Sequence, residues 1–276
     1  LFSFSLHPAF AAMRTWDGGG GDGLWSTAAN WSGDTVPVSG DFVYFDSTTS
    51  TSSTIDASFA GTISSLNINS GYTGTITMAR SLTLTGAFAM FDGTFIASSS
   101  VLTVNGIGIY LYGGTFIASS ATTTTNGDLS ITGGTFIHNN GTLVFAGTIG
   151  GTLYCNNATF NLVNFTHTAN TKTVNSDCSF PLGANPTLGS SSVTLYGSLN
   201  GTGTLTTAST FTVSSTNPLS GFTGLSASAL TISGASTSLN LSGYNWHNLY
   251  HDHRNVHRPF QQHVHRRRLH HLRRNI

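Results

Sequence analysis

Four stretches of this chain say nearly the same thing. "FDGTFIASSSVLTV", "GGTFIASSATTTT", "GGTFIHNNGTLVF" and "GGTLYCNNATFNL" follow one another between residues 91 and 162. Counted from Leu82, Leu102, Thr123 and Leu143, the units are 20, 21, 20 and 18 residues long. The aligned apolar position reads Phe95, Phe116, Phe136 and Leu153. A unit this short cannot bury its own apolar face. Repetition at a fixed period therefore points to a solenoid whose coils stack and share one core. Within the units the text alternates apolar and polar, as in Leu82-Thr83-Leu84-Thr85 and Leu129-Ser130-Ile131-Thr132. A period of two gives strands with one buried and one solvated face. Gly-Gly and Asn-Gly pairs suit the corners, because both residues tolerate positive φ. The expected fold is all-β, a right-handed parallel β-helix of about 20 residues per coil. An antiparallel sandwich is the alternative, and the regular period argues against it. Stacking puts Phe95, Phe116 and Phe136 above one another, about 4.8 Å apart along the axis. From about residue 161 the period blurs, although "GSLNGTGTLTTASTFTV" keeps the texture.

Composition sharpens this reading. Charged residues make up 7% of the chain and Glu is absent, well below the share on ordinary globular surfaces. Thr, Ser, Gly and Asn stand in their place, and strong helix formers are scarce. No run of apolar residues is long enough for a transmembrane helix. The formal net charge of zero hides a split. Residues 1–244 hold Arg14, Arg80 and Lys172 against nine Asp, whereas residues 245–276 hold seven Arg, eight His and Asp252.

The head, "TWDGGGGDGLWSTAANWSGDTVPVSGDFVYFD", concentrates Trp16, Trp25 and Trp31. With Gly18, Gly23, Ser26, Asn30, Gly33, Pro37, Asp41, Val43 and Phe45 it forms a Trp/Gly pattern. This pattern resembles the opening of β-helical regions in bacterial surface proteins, including autotransporter passengers. The likeness covers roughly residues 15–80, and the repeat extends it more loosely. It implies an exported solenoid and no particular activity. The residues agree on their own terms: a solenoid end exposes strand edges and core and needs covering. Trp16, Trp25 and Trp31 are expected to cap the first coil, with carbohydrate stacking as the competing role. Asp17 and Asp22 flank a glycine run and are candidate Ca²⁺ ligands through oxygen; a plain turn is the competing reading, and no metal or cofactor is otherwise expected.

Four segments follow. Residues 1–14, with Ala9-Phe10-Ala11 as an A-x-A cleavage pattern, read as the remnant of an export signal. Residues 15–50 are the cap, 51–244 the repeats, and 245–276 a basic tail without structure. The tail's sudden His, Arg and Asn are what a one-base shift makes of Thr and Gly codons. After Gly243-Tyr244, "NWHN" can be shifted back to the "TGTI" that follows Gly71-Tyr72, so the tail reads as an out-of-frame translation. A metal site or a polyanion-binding tail is the alternative.

A β-helix can also be a polysaccharide lyase or hydrolase, which needs clustered carboxylates or a carboxylate with a base. Asp92, Asp128 and Asp177 lie 36 and 49 residues apart, and isolated Asp in Asn/Gly-rich corners is ordinarily a turn residue. His138 and His167 show no nucleophile or metal partner in the sequence. Cys155 and Cys178 are 23 residues apart, about one coil. That spacing allows a disulfide between stacked neighbours, and two buried thiols are the alternative. The expectation is an exported structural or adhesive surface module, not an enzyme. Its partners are surface glycans or other cell-surface proteins, without specific nucleic-acid binding. A carbohydrate-active β-helix enzyme is the alternative.

Overall fold

The computed structural model describes residues 11–214, 219–232 and 249–250. The chain winds as a parallel β-solenoid of about nine turns, with about 21 residues per turn. One coil shows how the sequence makes it. Leu82–Leu84 turns through Thr85-Gly86 into Ala87–Met90, which turns through Phe91-Asp92-Gly93 into Thr94–Ile96. The next coil starts at Leu102–Val104. Alternation buries Leu82, Leu84, Phe88, Met90 and Phe95 and leaves their neighbours outside. The corner glycines Gly93, Gly114 and Gly134 repeat the same left-handed conformation, at φ 71°, 70° and 70°, which a side chain would strain.

Among the described residues the strands form a 13-stranded sheet, here called the long sheet, and sheets of six and five strands. All strand pairs in them are parallel, for example Leu82 with Leu102 and Leu102 with Thr123. An isolated antiparallel bridge joins Trp16 to Trp31. The antiparallel sandwich is thereby excluded. Inward residues of the long sheet make a column through Val43, Leu66, Phe88, Ile109, Leu129, Leu153, Val174 and Leu195. All belong to one continuous core. Phe95, Phe116 and Phe136 stack on the five-stranded side, with centroids 5.4 and 5.5 Å apart. Thr123 and Thr125 also point inward. Their hydroxyls are satisfied locally, Thr123 accepting from the Ser119 N–H and Thr125 donating to the Asp128 carbonyl.

The fourth unit departs from the expectation. Leu153 does not continue the phenylalanine column; it pairs with Leu129 in the long sheet. Seven residues separate Thr125 from Gly133, but four separate Phe145 from Gly150. The chain is too short there to build a long-sheet strand before the Gly-Gly pair, so Gly151–Tyr154 supplies that strand itself. Phe160 takes the place above Phe136, its ring centroid 5.3 Å away. Leu143 pairs with Val163, so this coil is 20 residues long by register and not 18. The five-stranded sheet ends at Thr135–Ile137.

Beyond the interruption the strands lengthen. Ser198–Val213 runs through the corners, pairing with Ser179–Ala184 at one end and Val193–Leu195 at the other. Leu219–Ile232 stacks on it. Two expected boundaries shift. Met13–Thr15 is already a strand of the long sheet, so the export-remnant segment 1–14 overlaps the solenoid at its end, and Phe42–Phe45 places a coil strand inside the cap segment 15–50. Of the expected unstructured tail, Leu249–Tyr250 is a two-residue strand on Leu230 and Thr231. The rest of the tail, and residues 1–10 with most of the A-x-A pattern, lie outside the described residues.

Candidate binding face on the long sheet

The three head tryptophans are fully buried. Trp16 and Trp25 stack on Phe45 at 5.6 and 5.7 Å, and Trp31 meets both indoles edge-on. Their N–H groups donate to the Thr51 carbonyl, the Ser53 hydroxyl and the Trp25 carbonyl. With no exposed ring face they are not platforms for sugar stacking. Asp17 accepts from the Gly19 N–H. Asp22 accepts from the Thr27 hydroxyl, the Asn30 amide and the Leu24 N–H. These donors, the Thr27 hydroxyl first, hold its pKa below the usual carboxylate value. Both side chains organise the glycine-rich turn, and among the described residues no three His, Cys, Asp or Glu side chains converge on a metal position.

The repeat-region carboxylates join neighbouring coils. Asp92 accepts from the Gly71 N–H, Asp177 from the Cys155 and Asn156 N–H groups, and Asp128 from the Thr152 N–H and the Tyr110 hydroxyl. Cys155 and Cys178 form a disulfide with Cα atoms 5.1 Å apart. His138 and His167 are buried, and each Nε2–H donates to a carbonyl, of Leu162 and Ser192 respectively. That fixes the tautomer and leaves Nδ1 bare on both. Burial holds both pKa values below the ordinary histidine value.

Lys172 is fully buried, a placement not evident from sequence. It pairs in register with Gly151, whose missing side chain opens a path along the axis. Its ammonium donates to the Asn126 and Gly127 carbonyls at 2.6 and 3.0 Å, two coils away. Burial lowers its pKa to about 8, against the opposing charge of Asp128. The disulfide, the two histidines and Lys172 thus brace the coils from within.

The outward face of the long sheet is different. One column runs Tyr44, Asn67, Ala89, Tyr110, Ser130 and Tyr154. It continues through Asn175 to Tyr196, because the preceding residues Leu153, Val174 and Leu195 are paired. The next outward column holds Phe91, Tyr112 and Thr132, set by the bonds from Tyr112 N–H to the Met90 carbonyl and from Thr132 N–H to the Leu111 carbonyl. Phe91 and Tyr112 stack at 4.6 Å and are 42% and 47% exposed. Tyr110 and Tyr112 are parallel within 9°, with centroids 6.5 Å apart. That separation is the spacing of alternate residues along a strand, so the two rings lie side by side. The Tyr110 hydroxyl donates to Asp128, and burial followed by that carboxylate pushes its pKa up to about 12. This face was missed in the sequence because its tyrosines recur irregularly, two rungs apart at one place and three at another, on rungs of unequal length. The exposed and buried rings also use the same residue letters.

This arrangement defines a parallel β-solenoid with a continuous apolar core and a tyrosine-bearing outer face. No family model, curated protein or solved structure matches the chain.

Proposed function

We propose that this chain is a structural or adhesive β-solenoid module of a bacterial cell surface, exported, capped by its Trp-rich segment 15–50, and without catalytic activity. One observation carries the reading: the outward column from Tyr44 to Tyr196 is an ordered ladder of tyrosine, amide, hydroxyl and Ala89 positions. Such a face suits contact with a neutral surface. The carboxylates, the histidines and Lys172 are engaged in holding coils together, an arrangement suited to a scaffold. The likeness of the Trp/Gly pattern to bacterial surface proteins supports the exported setting. The test uses one preparation of the full chain in two assays. Beads coated with it should be retained on cell surfaces above uncoated beads. The same protein, mixed with a panel of plant and bacterial polysaccharides, should release neither reducing ends nor unsaturated products. Catalytic release from any polysaccharide would overturn the reading in favour of a carbohydrate-active enzyme.

A further inference from the structure

We infer that Tyr110, Tyr112, Ser130, Thr132 and Tyr154 form a binding subsite for a neutral pyranose oligosaccharide. The inference rests on the adhesive reading above and names its ligand.

Tyr110 and Tyr112 make a flat aromatic surface two rings wide. On the side of the preceding coil it is covered, Tyr112 by Phe91 and Tyr110 by Ala89. On the side of the following coil stand Ser130, paired with Tyr110, and Thr132, next to Tyr112's column. Both are small, and Gly133 beside them has no side chain; a Cβ there would collide with the Tyr112 carbonyl oxygen. One rung further, Tyr154 pairs with Ser130 and is 42% exposed. Aromatic residues thus stand two rungs apart, about 10 Å at the usual strand spacing, with a rung of hydroxyls between them. A flat ring laid on Tyr110 and Tyr112 occupies the level that the aromatic ladder leaves vacant.

The chemistry of the slot selects the ring. The axial C–H groups of a pyranose lie against an aromatic face, and its hydroxyls meet the Ser130 and Thr132 hydroxyls at the base. Two rings side by side match two consecutive sugars of one chain running along the strand direction. The slot is held rigid, since parallel pairing fixes both strands and Asp128 fixes the Tyr110 hydroxyl. Charge selects further. Asp92 in the flanking corner and Asp128, on the same strand as Ser130, are the ionisable neighbours. Lys172 is buried, and Arg80 donates to the Ala57 carbonyl in another corner. Arg14 pairs with Asp41 at the head of the solenoid, so no described cation faces the slot, and an acidic glycan is disfavoured. A proline-rich peptide is a three-fold helix with no flat face to fill a one-rung gap, so a sugar fits better. Tyr154, Asn175 and Tyr196 repeat the tyrosine–gap–tyrosine order two coils on, which offers a second contact to a long or branched glycan.

Titration calorimetry with cellohexaose, chitohexaose, hexagalacturonate and a proline-rich peptide tests this. Saturable binding of at least one neutral hexasaccharide is expected, with none of hexagalacturonate or the peptide. Tyr112→Ala should weaken binding about tenfold, the size of one lost aromatic stacking contact. Thr132→Trp, which fills the vacant level, should do the same while leaving the melting temperature no lower than that of the parent. Val101→Ala, on another exposed corner, should change nothing. The inference is overturned if the parent binds neither neutral hexasaccharide, if both slot variants bind as the parent does, or if the peptide or the acidic sugar binds more tightly. Bead retention without glycan binding would sink this subsite and leave the adhesive reading standing; loss of both would sink both.

Discussion

Lys172 reaches past Gly151 to two carbonyls, which satisfy its buried ammonium. Its titration is therefore written into stability. The folded pKa is about 8 against an ordinary lysine value of 10.5. Between these values the unfolded chain holds more protons, so stability rises with pH across that window. Urea midpoints should increase from pH 8 to pH 9.5, and Lys172→Met should flatten the rise. The histidines act in the same direction at lower pH. Their folded pKa values lie below the ordinary histidine value of 6.5, so their stabilising effect is complete above that pH and is lost as pH falls beneath it. Melting temperatures should drop from pH 7.5 to pH 5, less steeply in His138→Phe. A persistent steep drop in that variant would remove His138 from the account. Phe116, fully buried between Phe95 and Phe136, is expected to cost about 3–5 kcal/mol when cut to Ala. A loss no larger than that of a surface Thr→Ala change would contradict its place in the core.

The coil is the element that the sequence shows most clearly, and also where it misleads. "TFI" at residues 94–96, 115–117 and 135–137 announces the phenylalanine column because the flanking corners keep their length. "GGTLYCNN" copies the same words, but the missing residues before it move Leu153 to a different sheet. Similar text marks the same place only when the arc length before it is conserved. Lys172 was hidden for another reason: its depth depends on a glycine one coil away, a cross-coil relation that no local pattern records. The third side of the solenoid lacks a strand between Ile137 and Ser179. The disulfide spans this gap, joining the corners after Gly151–Tyr154 and Lys172–Val174. Closing a loop of 23 residues is worth about 3 kcal/mol on the chain-entropy account. Reduction should lower the denaturation midpoint accordingly, and should speed hydrogen exchange between residues 155 and 178 more than between 82 and 137. Uniform loosening would mean that the bond does not act on this stretch.

At the scale of the molecule, each coil touches its neighbours through short-range pairing, and stability is close to a sum of coil and interface contributions. Shortening the chain from its C-terminal end should lower the melting temperature in steps. A single abrupt loss of all structure on removing one coil would show that the solenoid folds as one block. The same construction determines how the rod yields to tension. Pulled from one end, it should unwind a turn at a time, each turn of about 21 residues adding about 70 Å of extended chain. At Cys178 the force passes through the sulfur bridge to Cys155 and leaves the 23-residue loop between them slack. One turn near the middle of the rod thus contributes almost no length. The protein carries a built-in stop, and a reductant releases it.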